Sequence, residues 1–216
     1  MPAALPAVEV PVSQTAASDR QGGPGATRDR EKKLQALLSD PTVDLWALDE
    51  VHFQQHGTRC RMWIPPEVRD PILLHHPTRK SIGYFGAVRL RDGKLTTREE
   101  GTVFDGQTCF AFLKQLRRVS AHTGRRVVVI LDNASFHHAR RHKAWRLQCS
   151  GRFELFYLPP YSPDLNPIER VWKLTRRLCT HNRYFPVIDE VRHAVRTQFA
   201  KWIGANDTLR RLCAIT

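Results

Sequence analysis

Three acidic residues stand where their surroundings could put them to chemical use: Asp49, Asp132 and Glu169. Asp132 follows Val127-Val128-Val129-Ile130-Leu131, a β-branched apolar run that reads as a central strand buried on both faces, with the carboxylate at its C-terminal mouth. Asp49 lies near the end of a second apolar segment, Val43 to Phe53. Glu169 follows Leu158-Pro159-Pro160-Tyr161-Ser162-Pro163-Asp164-Leu165-Asn166-Pro167, whose prolines hold the chain out of helix until Asn166 or Pro167. Asn166 suits an N-cap and Pro167 the first helical position, so Glu169 falls in the first turn. Taken singly, such acids commonly cap helices, form turns or complement a helix dipole. Together they say more. If the two strands are neighbours, Asp49 and Asp132 converge, and the helix can bring Glu169 to the same point. Three carboxylates in one pocket repel one another and call for cations. Oxygen ligands suit hard ions such as Mg²⁺ or Mn²⁺.

Other elements are needed to hold the acids. Segments 58–64, 80–90 and 95–103 carry β-formers separated by turn signals, as consecutive antiparallel strands do, and Arg91-Asp92-Gly93-Lys94 is the clearest hairpin. Gln107 to Ser120 places Cys109, Phe112, Leu113, Leu116 and Val119 on one helical side, with Gly124 as a stop. Residues 153–158 supply a further strand. After Glu169, the stripe Ile168, Val171, Trp172, Thr175 and Leu178 predicts a helix packed on one face, and Pro186 to Ile203 predicts another packing helix. Glu50 would point away from Asp49 across the strand.

The chain carries 34 Lys plus Arg against 21 Asp plus Glu, a formal charge of +13, which favours a polyanionic partner. Arg140, Arg141 and Lys143 follow the second acid, and Arg170, Lys173, Arg176 and Arg177 follow the third, so the expected DNA-binding charge flanks the proposed site. His137, Asn133 and Asn166 are candidate accessory residues beside the acids, and His52 and His138 lie near them too. Trp63, Trp145 and Trp172 are more readily core residues than stacking platforms for bases. Five cysteines without paired spacing fit reduced thiols in the cytoplasm, and neither a secretion signal nor a membrane-spanning run is apparent. Residues 1–42 read as a disordered leader with a short linking helix from Arg28 to Leu38, residues 43–205 as the folded domain, and residues 206–216 as a C-terminal tail.

These motifs resemble those of the DDE transposases of the mariner superfamily, in particular their bacterial insertion-sequence branch. The resemblance covers roughly residues 43–203. It rests on Leu48-Asp49-Glu50 with His52-Phe53, on Leu131-Asp132-Asn133-Ala134 followed by His137, and on the Pro-rich block leading through Ile168-Glu169 to Trp172-Lys173. Between the second and third acids lie 36 residues, 133–168, a spacing similar to that of the branch. The resemblance implies an α/β domain of ribonuclease H-like fold, a mixed central sheet flanked by helices. It further implies an endonuclease and polynucleotidyl transferase acting in transposition and DNA recombination, with Asp49, Asp132 and Glu169 as catalytic metal ligands. DNA, both transposon ends and target, would be the substrate, in a homodimer associated with the bacterial nucleoid. Family members resemble two helix-turn-helix modules followed by the catalytic domain, and the residues before the first strand are too few for those modules. The expectation is therefore a separately encoded helix-turn-helix half, with a catalytically silent DNA-binding remnant or assembly subunit as the alternative.

Overall fold

The computed structural model describes residues 24–61, 63, 65–67, 72, 74, 77–101, 103–138, 142–158 and 165–215 of the chain. The expected leader (1–23), Arg140, Arg141 and the proline-rich residues 159–164 lie outside them. Five strands form one mixed sheet: β1 (Val43–Gln54), β2 (Ser81–Arg89), β3 (Leu95–Glu100), β4 (Arg126–Leu131) and β5 (Phe153–Tyr157), in spatial order β3-β2-β1-β4-β5. The β1–β2–β3 half is antiparallel, and β1, β4 and β5 run parallel. Helices α1 (Pro24–Ser39), α2 (Gly106–Ser120), α3 (Lys143–Gln148), α4 (Ile168–Cys179), α5 (Ile188–Ala200) and α6 (Asp207–Leu212) surround it.

Strand alternation sends β1 residues to two faces. Ala47, Val51 and Phe53 join a cluster with Ile168, Val171 and Trp172 of α4, Val195 and Phe199 of α5, and Leu209 of α6. Trp46 and Leu48 join the opposite cluster with Phe112, Leu113 and Leu116 of α2. The helix starts explain themselves chemically. Asp105 caps α2 by accepting from the Gln107 and Thr108 amides, and Thr108 Oγ1 accepts from the Asp105 amide in return. The hairpin between β2 and β3 turns at Gly93, whose φ of 71° lies in the left-handed region that glycine enters freely.

Register decides where the acids meet. β1 pairs with β4 only from Val43↔Arg126 to Ala47↔Ile130, whereas its pairing with β2 continues to Gln54↔Ser81. β1 therefore overshoots β4. Carrying the Ala47↔Ile130 register two residues further sets Asp49 opposite Asp132.

Several expectations change. Asp49 is mid-strand, because the upper half of β1 is held by β2 alone. The expected strand at 58–64 is, among the described residues, a single bridge between Thr58 and His181. β3 ends at Glu100, short of Val103. Leu178 is 42% exposed, and Cys179 completes the buried stripe of α4 instead. The expected tail at 206–216 contains α6, capped by the Asn206 side chain, with Leu209 and Cys213 fully buried. The hairpin receives it: the Asn206 amide donates to the Asp92 carbonyl at 2.7 Å.

Candidate active site

The site grows from the overshoot of β1. Beyond Ala47 that strand has no β4 neighbour, so its carbonyls on that side need other partners. Asn166 supplies one: its Nδ2 donates to the Leu48 carbonyl at 2.9 Å. Asn166 thus leaves the expected N-cap role, and α4 begins without a side-chain cap. This bond fixes the head of α4, and with it Glu169, against the strand segment that carries Asp49.

One turn after Glu169, the same helix lays Trp172 across the sheet. Its indole Nε1–H donates to Asp49 Oδ2 at 3.0 Å. Gly86, paired with Asp49 across β1 and β2, makes room for the ring, since a Cβ at that position would overlap the Trp172 six-membered ring. Sequence patterning gave Gly86 no role. A glycine inside an apolar strand was the available signal, for it marks a close approach.

Asp132 is held from the opposite direction. Its Oδ1 accepts from the Ala134 amide at 3.0 Å and from His137 Nδ1 at 2.9 Å. The turn behind it is tied to β5: Asn133 Nδ2 donates to the Leu158 carbonyl, and the Tyr157 hydroxyl donates to the His137 carbonyl at 3.0 Å. His138 stacks on Tyr157, with ring centroids 4.2 Å apart. Of the three expected accessory residues, His137 and Asn133 hold the turn after Asp132, and Asn166 ties the entry of α4 to β1.

Electrostatics tie the acids together. Burial, then the neighbouring charge of Glu169, pushes the Asp49 carboxyl up to about 7. Burial and the charge of Asp49 push Glu50 to about 8. Asp132 is instead lowered, chiefly by its bond from His137. Among the described residues, no Lys or Arg forms an ion pair with Asp49, Glu50, Asp132 or Glu169. Among them, too, no three His, Cys, Asp or Glu side chains already stand close enough to form a metal cage. An oxygen-only donor set short of positive charge fits a hard divalent cation.

The expected DNA-binding residues separate into groups. Lys173 and Arg177 are exposed on α4, and Lys143 is exposed at the head of α3. Arg176 lies over the Phe53 ring at 6.0 Å and lines a cavity with Glu50, His52 and Thr58. Arg170 is already engaged: its Nη1 donates to the carbonyls of Leu212 at 3.0 Å and Ala214 at 2.8 Å, pinning the end of α6. Trp172 is core, as expected, and Trp145 packs edge-on against Phe153, whereas Trp63 is fully exposed.

A mixed sheet in this order, with helices on both faces, is a ribonuclease H-like fold. The chain belongs to the DDE superfamily endonuclease family, whose profile matches residues 44–192. An uncharacterized protein of Sinorhizobium fredii is 34% identical over 110 residues, covering 50% of this chain and 74% of the relative. An uncharacterized 39 kDa protein of insertion element IS630 from Shigella sonnei is 29% identical over 92 residues, 40% of this chain and 26% of that protein. Among solved structures, the Mos1 strand transfer complex superposes with a TM-score of 0.63 at 16% identity, covering 94% of this chain and 62% of that one. The Mos1 transposase catalytic domain with raltegravir and Mg gives 0.57 at 15% identity, covering 89% and 90%. At such identity the likeness shows the fold alone. The chain spans about three fifths of the longer Mos1 chains, 62% in the strand transfer complex. No helix among the described residues is long and apolar enough to cross a membrane.

Proposed function

We propose that this domain cuts DNA and joins DNA strands in transposition, using divalent metal held by Asp49, Asp132 and Glu169. The observation that carries this reading is the gathering of acids at the β1–β4 mouth with no Lys or Arg ion pair among the described residues. Support comes from the family match and from Mos1 structures described as complexes with transposon ends and with Mn or Mg.

Mg²⁺ or Mn²⁺, with two ions expected, would supply Lewis acidity toward the scissile phosphate and activation of the attacking hydroxyl. Around them the chain's own groups perform the positioning. Trp172 orients the Asp49 carboxylate through Oδ2, His137 and Ala134 orient Asp132 through Oδ1, and Asn166 fixes the approach of Glu169. Each aspartate keeps its other oxygen free of hydrogen bonds from described side chains, available as a ligand. Lys173, Arg176, Arg177 and Lys143 present positive charge to the DNA backbone, as would Arg140 and Arg141. A homodimer fits the joining of two ends, and sequence recognition falls to a helix-turn-helix module on the same or a second polypeptide.

Incubating the protein with supercoiled plasmid and Mg²⁺ or Mn²⁺ tests the proposal. Nicking that disappears with chelator and in Asp132→Ala is the expected result. Equal nicking by wild type and the variant would overturn it.

A further inference from the structure

His137 is fully buried, and its two ring nitrogens face two different carboxylates. Nδ1 lies 2.9 Å from Asp132 Oδ1 and 3.3 Å from the Asp132 carbonyl oxygen. Both neighbours can only accept, so Nδ1 carries the hydrogen. On the far side, Nε2 lies 3.9 Å from Glu50 Oε2. Both of these atoms are buried and neither has a hydrogen-bond partner.

Leaving a buried polar atom unmatched is destabilising, and here two of them face one another. The separation is about 1 Å longer than a direct bond and too short for a water bonded to both, so direct contact through one hydrogen between Nε2 and Oε2 is the way to satisfy them. The surroundings leave little else free. Tyr157 holds the His137 carbonyl, Arg146 holds the Tyr157 hydroxyl at 2.6 Å, and Phe136 packs edge-on against the imidazole. Rotation of the ring is the remaining freedom, and Glu50 is the group placed to stop it. Glu50 also lies on the face of β1 opposite the one on which Asp49 meets Trp172, so it approaches the site through His137.

We propose that Glu50 is a positioning residue: it locks the His137 ring, which in turn presents Nδ1–H to Asp132 Oδ1 and leaves Oδ2 for the cation. This deepens the reading of Asp132 as a metal ligand and rests on it. Hydrogen-bonded partners behind a ligand characteristically change metal affinity by about 10–100-fold when removed. Gln at position 50 can engage Nε2 in either tautomer, whereas Ala cannot.

The test compares wild type, E50Q and E50A as full chains, with thermal melting to confirm folding. Long-range proton–nitrogen spectra of the chelator-treated proteins read the His137 ring, its signals identified by their loss in H137Q. Wild type and E50Q should show one fixed Nδ1–H tautomer, and E50A should show shifted or averaged signals. Titration with Mn²⁺ alone should then weaken about 10–100-fold in E50A and stay near wild type in E50Q. Should E50A not fold, Glu50→Asp, whose shorter arm falls away from Nε2, replaces it. Unchanged His137 signals in the variant that breaks the contact would overturn the proposal. So would loss of Mn²⁺ binding in E50Q as complete as in D132A, which would make Glu50 a ligand itself. Failure of the transposase reading appears elsewhere, as nicking retained in D132A, and leaves the spectra of metal-free protein unaffected.

Discussion

Two ends of one strand treat their carboxylates in opposite ways. Asp44, near the start of β1, is fully buried, and Arg89, Arg91 and Arg125 approach it at 3.6, 3.0 and 3.9 Å. Asp49 and Glu50, a few residues on, are partly buried near Asp132 and Glu169 and receive no arginine or lysine among the described residues. The fold can neutralise a buried acid with guanidinium groups, and at Asp44 it does. At the other end the compensating charge is left to come from outside the chain. One end is neutralised within the fold; the other is where we propose a cation.

The widest separation between the ends is in activity. Removing one of the three acids, as in Asp49→Ala, should reduce metal-dependent nicking by on the order of 10³-fold, while Asp44→Ala, assayed where it is still folded, should retain it. Plasmid nicking measured side by side decides this.

In stability the order reverses. Asp44→Ala removes the anion shared by three arginines, of which Arg89 keeps Asp92, and should lower unfolding free energy by about 1.5–3 kcal/mol in urea titrations. Asp49→Asn should raise the stability of chelator-treated protein near neutral pH, because it removes a repelled charge. The pH dependence follows from linkage. The folded-state pKa of Asp49 is about 7, above its ordinary 3.8. Below the ordinary value both folded and unfolded chains hold the proton; in between, only the folded chain does. The contribution of Asp49 is therefore fully present at low pH and is lost as pH rises through about 7. Urea midpoints measured across this window should fall more steeply for wild type than for Asp49→Asn, and Mn²⁺ should reduce the difference. Equal slopes would remove the argument that this end lacks positive charge.

Gly86→Ala sharpens the contrast at a smaller scale. Overpacking against Trp172 should lower stability by about 1–3 kcal/mol and weaken Mn²⁺ binding by displacing the indole from Asp49. A glycine with open space around it and no left-handed backbone, such as Gly204, provides the control. The smallest effect belongs to the exposed charge. Lys173→Ala should weaken DNA binding uniformly across sequences and reduce the salt slope by about 1, without altering metal affinity.

The places of two of the acids in the fold were legible because each is tied to a strong local pattern: an apolar run before Asp132 at the end of β4, proline restriction before Glu169 in the first turn of α4. Periodicity likewise revealed α2, α4, α5 and the β2–β3 hairpin. The contacts that orient the acids were not legible. Trp172 reaches Asp49 across 123 residues and Asn166 reaches Leu48 across 118, and no local period encodes such bonds. Asn166 was misread for the same reason, since its local context favours a cap while a carbonyl left open by the end of β4 competes for its side chain. The six-residue α6 is too short for a periodic signal, and its burial against the hairpin and α4 appears only in three dimensions.

Within residues 166–172, helix α4 and its entry carry the Asn166 tether, the third acid and the Trp172 hydrogen bond to the first acid. The centre is thus mounted on a single moving part. A rigid-body shift of α4 would withdraw Glu169 and release Asp49 in one motion, leaving Asp132 behind. If the acids hold metal as proposed, competence to cut would be coupled to helix docking, and a partner that seats or lifts α4 would act as an on–off control over strand scission.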